Sequence, residues 1–212
     1  MTVPLDVGAI RTLIVAGWTG RDPEHVERHI RELEAIGVRR PTRTPEFYRV
    51  SPSLLSLSDT ITAPNTSTGE VEFVLVNANG ALHVTVGSDH TDRELERQDI
   101  TAAKEACGKP VASAAWRHDD VANHWDDLEI RSFVEIDGQR RLYQEGRVAA
   151  MLAPPDLIAR YEADVGPFTP GTAIFGGTLA ALGPMEAADV FEIELTDPVL
   201  RRTLRHRYSA EG

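Results

Sequence analysis

A β-rich α+β fold is what this sequence predicts, and three observations carry it. Short apolar runs of strand length recur along most of the chain. Turn signals such as Asn79-Gly80 and Asp137-Gly138 separate runs that alternate in polarity, the pattern of hairpins. Only two segments, opening at Asp22-Pro23 and at Pro154-Pro155, carry a clear helix start.

Taken in order, Thr12–Ala16 reads as a short buried strand. Asp22 caps a helix that runs to Gly37, with Val26, Ile30, Leu33 and Ile36 as its apolar stripe. Glu46–Val50 is a strand, and Asp59-Thr60-Ile61 a small one. A hairpin follows, with apolar residues Phe73–Val76 in one arm and Leu82, Val84 and Val86 in the other. Asp92–Ala106 has helical composition with weak periodicity, so one helix or a broken one is expected. Val111–Trp116 reads as a strand and His118–Trp125 as a helical turn. Leu128–Ile136 alternates and returns through Arg141–Gln144. A helix at Asp156–Tyr161, strands at Ala173–Thr178 and Asp189–Leu195, and a C-terminal strand complete the pattern. The mixture of many strands and few helices places the chain in the all-β or α+β class.

Composition narrows the function classes. The 212 residues include 42% hydrophobic and 26% charged residues, ordinary values for a globular protein with a sizeable core. A net charge of −11 argues against a nucleic-acid partner, whose affinity comes from phosphate neutralisation. A single cysteine, Cys107, excludes an intrachain disulfide and a cysteine-rich zinc site. It reads as a small buried hydrophobe. No apolar run reaches membrane-spanning length and no secretory signal is seen, so a reduced, cytoplasmic setting is expected.

The candidate chemistry sits around the hairpin. Glu70 and Glu72 are two apart, so a strand projects them side by side, about 6–7 Å apart. Asp89 leaves the second strand near the point where the first begins. Two readings stand. In one, the glutamates are the solvated face of an amphipathic strand. Alternatively, three convergent carboxylates hold an oxygen-seeking divalent cation, Mg²⁺ or Mn²⁺, with Ca²⁺ as a further alternative. On the first helix, His29 and Glu32 are three apart and can pair, which alone reads as surface decoration. His83 is expected to point outward. His90 fits either a plain loop or a place behind Asp89. His118 and His124, beside Asp119, Asp120, Asp126 and Asp127, read as a solvated helix face, and His206 has no evident role.

Together these pieces resemble the fumarylacetoacetate hydrolase family over nearly the whole chain. His29-Ile30-Arg31-Glu32 is similar to that family's His-x-x-Glu lid helix, and Pro45-Glu46-Phe47 to its Pro-x-Phe segment. Glu70-Val71-Glu72 resembles its Glu-x-Glu metal ligands, and Asp89-x-x-x-Arg93 its third ligand and arginine. Lys109 falls at a family lysine. Gly177-Thr178, followed by Gly183-Pro184 and Asp189, resembles the element lining the substrate pocket. No single match is specific; their order and spacing carry the resemblance. The chain departs at Leu179, where the family usually has proline, at Ala188, where it has glycine, and at Glu96, where many members carry a substrate-touching glutamine.

The resemblance implies a single domain of mixed β-roll and β-sandwich character. Residues 1–50 would supply a strand, the short lid helix and a lead-in segment, and residues 51–212 the β-rich catalytic core. It implies a homodimer acting on a small 2-oxo acid, with no nucleic acid or membrane as partner. Glu70, Glu72 and Asp89 would hold the metal, which stabilises an enolate. Lys109 would add positive charge, and His29 with Glu32 would act as the base. Arg93 would clamp substrate or neutralise the carboxylates, and Glu96, Gly177 and Thr178 would face substrate. Carbon–carbon bond hydrolysis of an acylpyruvate is the leading expectation. Decarboxylation, hydration or tautomerisation on the same site, and a non-catalytic binding module, are the alternatives.

Overall fold

The computed structural model describes residues 1–35, 40–184 and 187–212, apart from the side chains of His29, Glu32 and Leu33. In chain order the first elements are β1 (Thr2–Pro4), β2 (Thr12–Gly17), α1 (Pro23–Ala35), β3 (Glu46–Val50), β4 (Leu55–Ser56), β5 (Thr60–Thr62) and β6 (Ser67–Thr68). The central hairpin is β7 (Val71–Ala78) and β8 (Ala81–Ser88), followed by β9 (Thr91–Asp92), α2 (Arg93–Glu96), α3 (Ile100–Glu105), β10 (Lys109–Pro110) and β11 (Ala114–Arg117). The last third holds β12 (Glu129–Ile136), β13 (Gln139–Arg147), α4 (Pro154–Asp164), β14 (Thr172–Phe175), β15 (Val190–Asp197) and β16 (Arg202–Glu211).

Two sheets carry the fold. The larger has the order β1-β11-β8-β7-β14-β2-β3, and the smaller β13-β12-β15-β16-β5. Phe73, Leu75, Val84 and Val86 of the large sheet meet Ile130, Phe191, Ile193 and Leu204 of the small one in the main core. The opposite face of β7, Val74 and Val76, packs in a second cluster with Leu13, Val15, Val50 and Phe175. A strand buried on both faces reads as a continuous apolar run, which is why Phe73–Val76 has no polar alternation.

The hairpin turns as its sequence requires. Ala78 pairs with Ala81, and Asn79 and Gly80 between them have φ of 55° and 80°, the left-handed pair that matches strand twist. Asp137 and Gly138 repeat this between β12 and β13, at 52° and 71°. Residues Asp92–Ala106 form two helices: Asp92 caps α2 through Glu94 and Leu95, and Asp99 caps α3 through Ala102. The expected strand at Val111–Trp116 is confined to Ala114–Arg117. Ahead of it, the Val111 N–H goes to Ser56 and the Ala112 N–H to Val86, so the chain is changing partners there. The expected turn at His118–Trp125 is 3₁₀, and β1, which the sequence does not announce, pairs with β11. The predicted helix end at Gly37 lies outside the described residues.

The remaining histidines are more integrated than their sequence suggests. His124 Nε2 donates to Asp197 Oδ1 at 3.1 Å, and Asp197 is fully buried. His206, also buried, meets the Ser58 carbonyl at 3.1 Å. Cys107 is buried, as expected. No helix among the described residues is long and apolar enough to cross a membrane.

Phe73 sits in the main core between the sheets: it is fully buried and meets Trp125, on the 3₁₀ turn, edge-on at 5.1 Å between ring centroids. Phe73→Ala should lower the unfolding free energy by about 3–5 kcal/mol, read from urea denaturation.

Candidate metal centre

Hairpin register builds the site. Val71 pairs with Ser88 and Glu72 with Gly87, and the Asp89 N–H donates to the Glu70 carbonyl at 2.9 Å. Glu70 and Asp89 are therefore fixed opposite each other just past the paired ends. Carboxylate oxygens of Glu70, Glu72 and Asp89 lie within 4.8 Å of one another. Glu72 and Asp89 are buried, and Glu70 is half-buried. The solvated-face reading of Glu72 is thereby corrected: the second apolar cluster covers the face of β7 that carries it.

Glycines allow the approach of the next element. Gly177, at φ 99°, donates its N–H to Glu72 Oε2 at 2.7 Å. A Cβ there would fall 1.8 Å from Thr19 Oγ1, and one on Gly176 2.1 Å from the Phe73 ring. Only glycine fits both close approaches. Thr178 then donates its hydroxyl to the Val71 carbonyl at 2.7 Å.

Three cations compensate the carboxylates. Arg93 meets Glu70 at 2.9 Å and Glu96 at 2.8 Å, and its Nε donates to Thr68 at 2.7 Å. In this arrangement Arg93 neutralises carboxylates, one of its two expected roles. Lys109 is fully buried; its ammonium donates to the carbonyls of His90, Lys104 and Cys107 and lies 3.4 Å from Asp89 Oδ1. It thus supports Asp89 from behind. Lys104 forms a buried ion pair with Asp89 Oδ2.

The electrostatics follow. Burial pushes the Glu72 carboxyl well above its ordinary value, and the nearby Asp89 charge adds to this. Burial also opposes the Asp89 charge, but Lys104 and Lys109 outweigh it and hold Asp89 below the usual range. Burial, reinforced by Lys109 and Arg93, pushes His90 down to about 3. His90 is therefore a neutral imidazole behind Asp89, bridging Ser67 at 2.9 Å and Tyr208 at 3.2 Å.

The structure thus gathers Glu70, Glu72, Asp89, Arg93, Glu96, Lys109, Gly177 and Thr178 in one region. The His29 and Glu32 side chains, the expected base pair, lie outside the described residues; their backbone belongs to α1. Two residues that the sequence did not single out are structurally central. Among the described residues, Lys104 is the nearest cation to Asp89. Gln144 accepts from the Val71 N–H at 3.0 Å and Ser132 at 2.9 Å, and donates to Thr178 at 2.8 Å and the Leu179 carbonyl at 2.6 Å. It ties the 177–179 loop to the start of β7. Gln144 closes the return strand expected at Arg141–Gln144, which marked it only as a strand position. Lys104 had only its place among alanines in a short capped helix as a signal.

A divalent ion fits these residues. The donors are hard oxygens on three elements, and Asp89 Oδ1 is buried with no hydrogen-bond partner among the described residues. Lys109 is 3.4 Å from that oxygen without hydrogen-bonding it, which leaves its lone pairs available to a cation.

Gln144→Leu leaves the buried Val71 N–H unpaired. It should cost about 1–3 kcal/mol in urea denaturation, where a surface glutamine would cost almost nothing.

The sequence profile of a family described as "Protein of unknown function (DUF2848)" matches residues 16–208. No curated protein matches the chain. Solved structures share its fold. A 2-keto-3-deoxyarabinonate dehydratase aligns with a TM-score of 0.69 and 18% identity, covering 100% of this chain and 77% of the other. The same enzyme complexed with magnesium and 2,5-dioxopentanoate aligns at 0.65 and 17%, covering 99% and 75%. Yeast ynq8, a fumarylacetoacetate hydrolase family protein, aligns at 0.66 and 18%, covering 97% and 95%. The chain therefore has the fold seen in fumarylacetoacetate hydrolase family proteins, as its motif order implied.

Proposed function

The chain belongs to the DUF2848 family, and we propose that it is a divalent-metal-dependent enzyme acting on a small 2-oxo acid. One observation carries the reading: three carboxylates at the paired ends of a buried hairpin converge within 4.8 Å, and the buried Oδ1 of Asp89 accepts no hydrogen bond among the described residues. The fold-sharing dehydratase that was crystallised with magnesium and 2,5-dioxopentanoate supports it.

Glu70, Glu72 and Asp89 would hold Mg²⁺ or Mn²⁺. The ion, when bound, supplies Lewis acidity that stabilises negative charge developing on a substrate keto oxygen. Gly177 keeps Glu72 oriented through its N–H. Lys109 lends positive charge from behind Asp89, and Arg93 balances Glu70 and Glu96. Thr178 sits beside the carboxylates, held by Gln144 and the Val71 carbonyl, where its region can meet the substrate. The helix α1 is the proposed lid, excluding bulk water.

The specific reaction we infer is hydrolysis of a carbon–carbon bond in an acylpyruvate or 1,3-diketo acid. His29, held by Glu32, would take the proton of the attacking water. A second reading, loss of water from a 2-oxo acid, is favoured by the dehydratase neighbour; it uses the same charge-stabilising residues.

Titrating Mn²⁺ into metal-stripped protein by calorimetry tests the reading, with oxalate as a chelating mimic of a 2-oxo acid. Mn²⁺ should bind, oxalate should tighten it, and Glu72→Ala should abolish both. Equal Mn²⁺ binding by the wild type and Glu72→Ala would contradict the site.

A further inference from the structure

The carboxylate cluster contains a cation that metal ligation does not call for. Lys104 lies on α3, whose start is capped by Asp99 and whose neighbouring Ala103 is fully buried. The lysine side chain is 7% exposed, and its ammonium pairs with Asp89 Oδ2, on a residue with no exposed surface. The Tyr48 ring lies 5.7 Å from the same ammonium. The backbone around it is held as well: its carbonyl accepts from Lys109, and Glu105 accepts from the Ser51 N–H at 2.8 Å. Lys104 is thus fixed in the site from both ends.

The charges explain what it does there. Glu70, Glu72, Asp89 and Glu96 face Arg93, Lys104 and Lys109, so among the described residues four carboxylates meet three cations in one corner. Without Lys104, two buried carboxylates would adjoin with one fewer compensating charge, an expensive arrangement in a low-dielectric interior. A divalent ion among Glu70, Glu72 and Asp89 would bring two further positive charges against an ammonium already seated on one of its ligands. Like charges at that separation repel strongly when buried.

We propose that Lys104 is the resident counter-cation of this centre and competes with the divalent ion for Asp89. It keeps the carboxylates folded together when no metal is bound, and it lowers the affinity of the site for metal. The idea rests on the metal-centre reading above and adds a built-in rival to the ion. It makes Lys104 a positioning residue, acting through Asp89.

The test is calorimetric titration of Mn²⁺ into metal-stripped wild type, Lys104→Met and Lys104→Arg, with thermal melts of each with and without Mn²⁺. The methionine variant keeps the side-chain length without the charge. It should bind Mn²⁺ at least tenfold more tightly than the wild type and gain more in melting temperature from the ion. The arginine variant should stay within about threefold of the wild type. If Lys104→Met folds only with metal present, millimolar Mn²⁺ but not K⁺ should restore its cooperative melt; no rescue would overturn the proposal. Equal or weaker Mn²⁺ binding by a folded Lys104→Met would overturn it while leaving the metal centre standing. Mn²⁺ binding by the methionine variant alone would uphold the proposal and remove the metal from the wild-type reading. No binding by either would overturn both.

Discussion

Asp89 has no exposed surface, and it lies against a second buried carboxylate, Glu72. Ionised groups in a protein interior cost several kcal/mol each unless matched by opposite charge and hydrogen bonds. Much of the local architecture answers that cost. Lys104 and Lys109 converge on the two oxygens of Asp89, Arg93 takes Glu70 and Glu96, and the Gly177 N–H takes Glu72. The short helices α2 and α3, each begun by an aspartate cap, return Arg93 and Lys104 to the hairpin, and β10 returns Lys109.

Geometry upstream of the charges is set by the β7–β8 register. The two-residue Asn79-Gly80 turn fixes which residues face each other, and a slip of one residue would move Glu72 to the opposite face of the sheet. The packing of both faces of β7 holds that register. The same burial that stabilises the strand raises the cost of placing carboxylates at its end, so fold and site are coupled at this point. Gly176 and Gly177 complete the arrangement, because the loop after β14 can reach Glu72 only without side chains.

The sequence discloses the hairpin, the turn types and the order of the acidic and basic motifs, because these depend on local spacing. Glu70, Glu72, Asp89 and Arg93 could be named from spacing and resemblance, and the structure brings them together. What spacing cannot convey is which charged residue is buried. Lys104, in a run of helix-forming residues, looks like any solvated lysine until α3 is seen packed over Asp89. Glu72 equally resembles a polar strand position until the second cluster covers it. Nor could the sequence show Gln144 as the tie between β7 and the 177–179 loop, since its partners lie far away along the chain. The splitting of Val111–Trp116 between neighbours is non-local in the same way.

The most direct measurement of the central claim is a crystal structure of the protein soaked in Mn²⁺, with anomalous data recorded at the manganese edge. The account predicts one strong anomalous peak bounded by carboxylate oxygens of Glu70, Glu72 and Asp89. A fully soaked crystal with no peak there, or with its only peak elsewhere, would contradict it.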